Sequence, residues 1–374
     1  MRVALAHDWL TGLRGGERVL DEHARLYPDA DLYTLIHVAG STTDRIESLR
    51  IHASPLSRLP GVERHYRKLL PLFPWAISRL SVADCDLVLS TSHAVAKGIR
   101  APAGATHLCY CFTPMRYVWD LADVYLGRGP RRALSAPLVG ALRRWDRRTS
   151  GPDHVQRFVA ISHNVAERIR RRYGREASVI YPPVDVHRFA KRPSEVEDWY
   201  LLVGGFVSYK REDVALEAFR ALGIPLRVAG DGPGRAALER RAPPNVQFLG
   251  RVSDEVLADL YSRCRALIYP QEEDFGIVPV EAQAAGRPVI AYAAGGARET
   301  VVPLGYPRGR APTGLWFAPQ TPQALARAVR SFEDASSAFD PEAIRAHAAA
   351  FSAERYRREI SAAVEETLTA RRVV

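Results

Sequence analysis

Short apolar runs alternate with helical patterns along almost the whole chain, and this alternation forms two separate series. Such alternation is typical of βαβ units, in which helices cover a parallel sheet. The strand-like runs of the first series lie at residues 2–6, 31–38, 86–91, 107–112, 157–162 and 178–182. The sequence therefore predicts an α/β protein with two doubly wound, Rossmann-like domains.

The two series are separated near residue 185. Pro182 and Pro183 precede a polar stretch in which prolines and charges interrupt any apolar period, as in a linker. Beyond it the alternation restarts with the strand-like run YLLVGGF at 200–206. A chain of 374 residues suits two domains of ordinary size. We therefore expect domains at 1–185 and 186–352.

Basic residues outnumber acidic ones, 52 Lys and Arg against 42 Asp and Glu, which gives a formal charge of +10. This charge favours anionic partners such as nucleic acid, phosphorylated ligands or acidic membrane surfaces, although an Arg-rich proteome explains it equally well. No segment offers the ~18 uninterrupted apolar residues of a membrane span. We therefore expect a cytoplasmic protein. Cysteines occur only at Cys85, Cys109, Cys111 and Cys264, too scattered for a disulfide framework and expected as buried thiols.

The most informative segment is EDFGIVPVE at 273–281, which directly follows the strand-like run ALIYP. Gly276 allows close approach of a ligand to the backbone, Pro279 suits a first helical turn, and Gly286 ends the helix. A helix N-terminus binds phosphate without a metal ion, because it offers unpaired N–H groups and about half a positive charge. The segment therefore predicts a diphosphate site at the start of this helix.

The residues of this segment receive individual roles. We expect the backbone of Phe275, Gly276, Ile277 and Val278 to bind the diphosphate. Glu281, about one turn inside the helix, is expected to accept hydrogen bonds from ribose hydroxyls. Glu273, in the preceding loop, is expected to reach the sugar hydroxyls. Two glutamates at this spacing carry little information alone, and the specificity comes from the Gly and Pro between them.

The segment resembles the glutamate-seven-glutamate motif of the retaining glycosyltransferases of family 4, which have the two-Rossmann-domain GT-B fold. The resemblance covers nearly the whole chain and is clearest in GGERVL at 15–20, YCFTPMRYVWDL at 110–121, VSYKREDVALEAF at 207–219 and AAGGARETV at 293–301. It implies that an acceptor-binding and a donor-binding domain face a central cleft. It also implies that the last helix, at 353–370, packs back on the first domain.

The matching blocks are most similar to the branch that builds cell-surface polysaccharides, often from GDP-mannose. The resemblance implies a retaining hexosyltransferase that uses a nucleotide sugar, with GDP-mannose as the expected co-substrate and no other cofactor. The expected acceptor is a glycan or a polyprenyl-linked glycan. Two alternatives stay open: an epimerase or hydrolase of sugar nucleotides with the same fold, and a non-catalytic sugar-nucleotide-binding protein. Nucleic acid is suggested only by charge, and we do not expect it as a partner.

Cations that neutralise the departing diphosphate are expected just after the strand-like run at 200–206. Lys210 and Arg211 lie there, and with Glu273 we expect them to be catalytic. The family usually has an Arg five residues before the Lys, and Gly205 occupies that donor-side position here. The resemblance therefore implies a two-cation clamp only if Arg211 supplies the missing charge. Donor-binding roles are also expected for Gly232, in the turn GDGP, and for Arg251, after the run QFLG.

In the first domain, Gly15 and Gly16 follow the first strand and open a helix, which predicts a second backbone site for phosphate or acceptor. Related enzymes often have a sugar-contacting His at the position of Phe112. Either that role is dispensable here or His93, at another strand end, takes it, and we expect His93 to be catalytic. By the same resemblance, the expected acceptor-side residues are Asp8, Arg116, Trp119 and Asp120.

A basic and aromatic segment, RHYRKLLPLFPWAISRL at 64–80, is typical of surfaces that lie on anionic bilayers. The alternative is a buried helix pair broken at Pro71 and Pro74. We therefore expect a cytoplasmic protein with peripheral contact at the inner membrane face. Asp84 and Asp86 form the DxD pattern of a metal site in another glycosyltransferase fold, but they lead into a buried strand, and we expect no metal.

Overall fold

The structure, a computed structural model, describes residues 1–120, 130–190, 195–306 and 309–372. The chain divides into two units, one formed by Met1–Pro183 with Tyr356–Val374 and the other by Val184–Arg355. Each unit contains its own parallel sheet. Two doubly wound α/β units confirm the predicted fold class.

The first unit contains a seven-stranded sheet with the order β3-β2-β1-β4-β5-β6-β7, in which all neighbours pair in parallel. Its strands are β1 (Val3–His7), β2 (Asp31–Thr34), β3 (Arg50–Ala53), β4 (Leu87–Ser92), β5 (Thr106–Cys111), β6 (Arg157–Ala160) and β7 (Ala177–Val179). Its helices are α1 (Gly15–Leu26), α2 (Asp44–Glu47), α3 (Val62–His65), α4 (Phe73–Ser78), α5 (Pro130–Arg148) and α6 (His163–Tyr173). Single turns of 3-10 helix lie at Pro55–Arg58 and Ala96–Gly98, and a longer one at Tyr66–Leu72.

The second unit contains a six-stranded parallel sheet with the order β10-β9-β8-β11-β12-β13. Its strands are β8 (Tyr200–Gly204), β9 (Leu226–Gly230), β10 (Val246–Gly250), β11 (Leu267–Tyr269), β12 (Val289–Tyr292) and β13 (Gly314–Phe317). Its helices are α7 (Val186–Phe189), α8 (Glu212–Leu222), α9 (Arg235–Glu239), α10 (Asp254–Arg263), α11 (Ile277–Ala284), α12 (Ala297–Thr300), α13 (Pro322–Asp334) and α14 (Pro341–Ala349). A 3-10 turn at Ser208–Lys210 precedes α8.

Both sheets reverse their order of strand addition at one point. In the first unit the reversal lies between β1 and β4, and in the second unit between β8 and β11. Ligands of open parallel sheets bind at the carboxyl ends of the strands beside such a switch point. The residues that follow these strands are therefore the first place to look for a functional site.

The last helix, α15 (Ala353–Arg372), lies with the first unit from Tyr356 onward. The Tyr356 hydroxyl lies 2.6 Å from Nε2 of His23, a side chain that is fully buried. Arg357 pairs with Glu22 at 2.6 Å. Burial lowers the pKa of His23 to about 3, so this imidazole is neutral and the contact with Tyr356 is a hydrogen bond between uncharged groups.

Three details differ from the sequence-based expectations. Strand β3 was not predicted, and β2 ends at Thr34 although the apolar run continues to residue 38. The stretch after Pro183 is not a plain linker, because Phe189 in α7 is buried with its ring 5.5 Å from that of Tyr261.

Among the described residues, every helix is too short or too polar to cross a bilayer.

Candidate functional site

The switch point of the second unit brings Lys210 and Glu273 together. Lys210 follows β8 and Glu273 follows β11, and these two strands are neighbours in the sheet. Lys210 Nζ lies 3.0 Å from Glu273 Oε1, and both side chains are largely buried. The Tyr269 hydroxyl donates a 2.8 Å hydrogen bond to Glu273 Oε2. Two of the four predicted catalytic residues therefore form one ion pair, oriented by a buried tyrosine.

This ion pair keeps Lys210 charged. Burial alone would lower the pKa of Lys210, but the Glu273 carboxylate raises it above its ordinary value. Burial and the same carboxylate raise the pKa of Tyr269 well above its usual range, so its hydroxyl stays a donor. The site thus presents a fixed cation at the end of β8 throughout the neutral pH range.

Helix α11 begins beside this ion pair. Gly276 caps it with φ +90°, a left-handed conformation that L side chains rarely adopt, and a Cβ there would lie 3.1 Å from the Tyr269 hydroxyl. In the described part of the chain, the amides of Ile277 and Val278 hold no hydrogen bond, as expected for a first helical turn. Pro279 has no N–H to satisfy. Two free amides therefore stand at this helix start.

A pair of glycines supports the loop that carries Glu273. A Cβ on Gly295 would lie 2.2 Å from the Glu273 carbonyl oxygen, and one on Gly296 would lie 2.2 Å from that of Phe275. The Gly296 amide donates a 2.8 Å hydrogen bond to the Glu273 carbonyl. Since a side chain at either glycine would overlap this backbone, the turn after β12 sets the position of the loop.

The second glutamate of the motif is also held by a tyrosine. The Tyr261 hydroxyl, fully buried on α10, donates a 2.9 Å hydrogen bond to Glu281 Oε2. Glu281 itself is partly exposed. Neither Tyr261 nor Tyr269 was a predicted site residue. The sequence feature that could have indicated the role of Tyr269 is its place at the end of a strand, four residues before Glu273.

The structure bears on two of the predicted donor-side residues, Phe275 and Gly232. Phe275 is 3% exposed and packs its ring 5.7 Å from that of Phe351, so its side chain is an anchor, and the expected backbone contact with the diphosphate stays a prediction. The Gly232 amide is already bound by the carboxylate of Asp231 at 2.8 Å. A Cβ on Gly232 would lie 2.8 Å from the Gly205 carbonyl, so this glycine is needed for packing between two turns.

Arg211 also differs from expectation. It has φ +55°, and its guanidinium bonds Asp213 at 3.1 Å and Gln320 at 3.0 Å. Gln320 in turn donates a hydrogen bond to the Pro270 carbonyl at 2.8 Å. Arg211, the second cation of the predicted clamp, is therefore bound to Asp213 and Gln320. Lys210 is the cation of the pair that contacts Glu273.

Gly205 and Arg251 are both accessible. A Cβ on Gly205 would lie 3.8 Å from its nearest neighbour, the Asp231 carbonyl oxygen, so the position has room for a side chain. Arg251 is exposed and follows β10, the edge strand of the sheet. A donor-binding role for either residue stays a prediction.

The switch point of the first unit is occupied by Asp8 and His93. Asp8 is fully buried, and its carboxylate accepts hydrogen bonds of 2.7–2.9 Å from four consecutive amides, at residues 93–96. His93 Nδ1 lies 3.0 Å from the same carboxylate. Burial would raise the pKa of Asp8, but His93 and these bonds hold it well below its usual range. The predicted acceptor contact of Asp8 is wrong: this carboxylate has no surface for a ligand and acts through the loop it holds.

His93 is the accessible member of this pair, with 27% of its side chain exposed. Its ring lies 4.5 Å from that of Trp9 and 6.3 Å from that of Phe112. Because Nδ1 faces the Asp8 carboxylate, Nε2 is the ring nitrogen that points away from it. His93 therefore lies close to the position where related enzymes often have a histidine.

Helix α1 starts next to this pair. It begins at Gly15, as the sequence predicts, and a Cβ on Gly16 would lie 3.5 Å from both His7 and Phe112. Glu17, buried in the first turn, bonds the Arg14 amide at 3.0 Å. Gly15 and Gly16 are partly exposed at the helix start, so their predicted backbone role stays a prediction.

Trp119 and Asp120 belong to a cluster that fastens residues 115–120 to α5 and α6. The Trp119 indole N–H donates to Asp146 at 2.7 Å, and three arginines lie over its ring. Asp120 pairs with Arg172 at 2.9 Å. Their predicted acceptor contacts are not supported, because both side chains are used for packing. Arg116 is half-buried beside them.

Two protein families match the chain, one for each of its two units. Residues 13–188 match the family described as Glycosyltransferase Family 4, and residues 184–349 match Glycosyl transferases group 1. The D-rhamnosyltransferase WbpZ of Pseudomonas aeruginosa is 30% identical over 194 residues, 47% of this chain and 49% of that protein. O-antigen chain mannosyltransferase C of Escherichia coli is 33% identical over 101 residues, 25% of this chain and 27% of that protein. The chain thus aligns with half or less of the length of these relatives.

Solved structures with similar folds extend over nearly the whole chain. The Anabaena protein HepE in complex with UDP has a TM-score of 0.72 at 17% identity, covering 98% of this chain and 100% of that one. WaaG, a glycosyltransferase involved in lipopolysaccharide biosynthesis, has a TM-score of 0.67 at 16% identity, covering 96% and 98%. At such identities the likeness concerns the fold. The two family matches together span residues 13–349, and the similar structures share the GT-B fold. The chain belongs to the glycosyltransferases of family 4.

Proposed function

We propose that the protein transfers a hexose from a nucleoside diphosphate to an acceptor with retention of configuration at the anomeric carbon. The observation that supports this most directly is the Lys210–Glu273 ion pair, which lies beside the start of α11 at the switch point of its sheet. A cation and free helix-terminal amides together suit a diphosphate.

The reaction places negative charge on the departing diphosphate. Amides and cations that already point to this charge stabilise the transition state by about 3 kcal/mol per well-placed group. We assign this role to Lys210 and to the amides of Ile277 and Val278. When a diphosphate binds Lys210, Glu273 loses its cationic partner, and its carboxylate becomes free to accept hydrogen bonds from sugar hydroxyls. Tyr269 keeps Glu273 in place during this exchange.

We propose GDP-mannose as the donor. The support is the similarity to an O-antigen mannosyltransferase and a D-rhamnosyltransferase. Other similar proteins are named as glycosyltransferases of inositol 3-phosphate and as glycogen synthases. The choice of base and sugar therefore needs a direct test.

The donor is identified by thermal shift with GDP-mannose, GDP-fucose and UDP-glucose. We expect GDP-mannose to raise the melting temperature most, because a ligand that binds only the folded state stabilises it. Glu281→Ala should weaken this binding about 10- to 100-fold, the effect of losing a hydrogen bond to a charged group. Glu342→Ala, an exposed glutamate on α14, is the matched control and should bind normally. A larger shift with UDP-glucose, or free sugar released without acceptor, would contradict the proposal.

We further propose that the acceptor is a polyprenyl-linked glycan and that the first unit contacts an anionic membrane. The segment 64–80 has an inner face in contact with Trp9, the neighbour of Asp8: the rings of Tyr66 and Phe73 lie 5.1 Å and 5.8 Å from the ring of Trp9. Trp9 in turn lies 4.5 Å from His93. The segment 64–80 and the candidate catalytic histidine, His93, are therefore parts of one packed cluster.

The outer face of this segment is apolar and basic. Leu72 and Trp75 are 46% and 48% exposed and lie only three residues apart. Arg67, Lys68 and Arg79 are exposed in the same segment. Large apolar side chains next to cations suit the interface of an anionic bilayer, where each cation contributes about 1 kcal/mol.

The double variant Leu72→Ser/Trp75→Ser should reduce binding to vesicles that contain one third anionic lipid by about tenfold, because it removes the side chains that enter the interface. Flotation at low salt measures this binding. Val256→Ser, which changes a side chain that is 48% exposed in the second unit, should float like the unchanged protein. Absence of flotation for the unchanged protein, or equal flotation for both variants, would reject membrane contact.

A further inference from the structure

A third ionisable group lies beside the Lys210–Glu273 pair. Glu212 is the first residue of α8, two residues after Lys210, and is only 4% exposed. Its Oε1 atom accepts no hydrogen bond from the described part of the chain. Burial raises the pKa of Glu212 to about 7. A buried carboxyl with an unused oxygen is costly, and such groups are often found where function requires them.

Glu212 and Lys210 lie against the same glycine. A Cβ on Gly204 would lie 3.2 Å from Glu212 Oε1 and 4.0 Å from Lys210 Cδ. Gly204 is the last residue of β8, so both side chains meet at the end of this strand. The carboxyl group therefore belongs to the immediate surroundings of the cation that we assign to the diphosphate.

Burial is the main cause of the raised pKa of Glu212, and the charges around this carboxyl act in both directions. Lys210 favours the ionised carboxylate, whereas Asp213 on the same helix and Glu273 on the neighbouring loop disfavour it. Without ligand, Lys210 is the cation that compensates both Glu212 and Glu273. A diphosphate brings at least two negative charges and takes Lys210 as its partner. The ionised form of Glu212 then loses its compensation and gains a further anionic neighbour.

We propose that Glu212 takes up a proton when a nucleoside diphosphate sugar binds at Lys210, so that this residue couples donor capture to pH. The proton comes from the solvent and forms an O–H bond on the Glu212 carboxylate, and no other bond changes. Glu212 touches the donor only through Lys210, which makes it a positioning residue that tunes the charge of the site. The proposal rests on the proposed function, because it requires a diphosphate at Lys210.

Titration calorimetry with GDP-mannose and UDP-glucose tests the coupling, since the diphosphate of a sugar nucleotide has no group that titrates near pH 7. Measurements in buffers of different ionisation enthalpy give the number of protons taken up. At pH 8 we expect uptake of a large fraction of one proton, and at pH 6 almost none. Donor affinity should fall by up to tenfold per pH unit above pH 7. Glu212→Gln, which stays neutral, should bind without proton uptake and with an affinity that does not change with pH.

Glu217→Gln is the matched control, because Glu217 lies on the same helix but is partly exposed and pairs with Arg220. It should keep the proton uptake of the unchanged protein. Sugar-nucleotide binding with the same uptake in Glu212→Gln would overturn this inference and leave the proposed function intact. Failure of every sugar nucleotide to bind would overturn both.

A measurement without ligand tests separately whether the pKa of Glu212 is raised in the free protein. A carboxyl whose pKa is raised in the folded state stabilises the fold below its unfolded pKa, and this contribution is lost as pH rises through about 7. The unchanged protein should therefore lose melting temperature relative to Glu212→Gln between pH 5 and pH 8. Glu212→Leu provides a second neutral variant if Gln disturbs folding. Parallel pH profiles of all three proteins would overturn the inference.

Discussion

Lys210→Met is expected to lower kcat about 10²- to 10³-fold, because it removes the cation that pairs with Glu273 at 3.0 Å and that we assign to the diphosphate. The loss corresponds to about 3 kcal/mol of transition-state stabilisation. Most of the effect should appear in kcat and not in KM, since the charge on the diphosphate grows as the sugar leaves. Steady-state kinetics with the donor identified by thermal shift, at fixed acceptor, measures the change.

Arg220→Met is the control for this substitution. Arg220 lies on α8 and its side chain is 47% exposed, paired with Glu217. Removing this exposed charge should leave kcat within a factor of two, because such surface pairs contribute little. Near-normal turnover in Lys210→Met would remove the assignment of the diphosphate to this ion pair. A melting temperature close to that of the unchanged protein would show that the loss is catalytic.

Asp146→Ala is expected to destabilise the first unit by about 3–5 kcal/mol, because it leaves Lys97 as an unpaired buried charge. Lys97 and Asp146 are 1% and 0% exposed, and their charged atoms lie 2.8 Å apart. Asp146 also accepts hydrogen bonds from Trp119 and Tyr173. The melting temperature of this unit should fall by about 10 °C, which calorimetry would record.

A double-mutant cycle separates the ion pair from its packing. Lys97→Met/Asp146→Leu removes both charges and should cost less than Asp146→Ala alone, because an apolar pair leaves no buried charge. Glu167→Ala breaks an exposed pair with Arg170 and should change stability by less than about 1 kcal/mol. Equal losses for Asp146→Ala and Glu167→Ala would contradict the role of the buried pair.

The Lys97–Asp146 pair also matters for the candidate acceptor side. Lys97 ends the loop whose amides, at residues 93–96, bind Asp8. The loop that presents His93 is thus held at one end by a buried carboxylate and at the other by a buried ion pair. Loss of either anchor should reduce activity as well as stability.

Much of the fold follows from local sequence. Alternating apolar runs and helical patterns predict two parallel sheets, and both are present. The order strand, Gly276, Pro279, helix predicts the start of α11 because each residue has a local conformational reason to be there. The same holds for α1, which begins at Gly15. These features depend on neighbours along the chain, and a sequence contains that information directly.

Contacts between residues that are far apart in the sequence could not be predicted from local patterns. Asp8 was an apparent ligand residue until the fold placed four amides around it. Trp119 looked accessible until three arginines and Asp146 were brought to it. The burial of Glu212 is likewise invisible in the sequence, because a charged residue at a helix start is most often solvated.

By itself, the sequence determined the class of fold, the helix starts and the residue types that suit a diphosphate, since these arise from backbone preferences and periodicity. Only the tertiary structure decided which of those residues meet. Strand order places β8 next to β11 and so joins Lys210 to Glu273, while the same packing directs Arg211 to Asp213 and Gln320. The reason is physical: the charge and accessibility of a side chain depend on what surrounds it in space, and strand order and burial are properties of the whole folded chain.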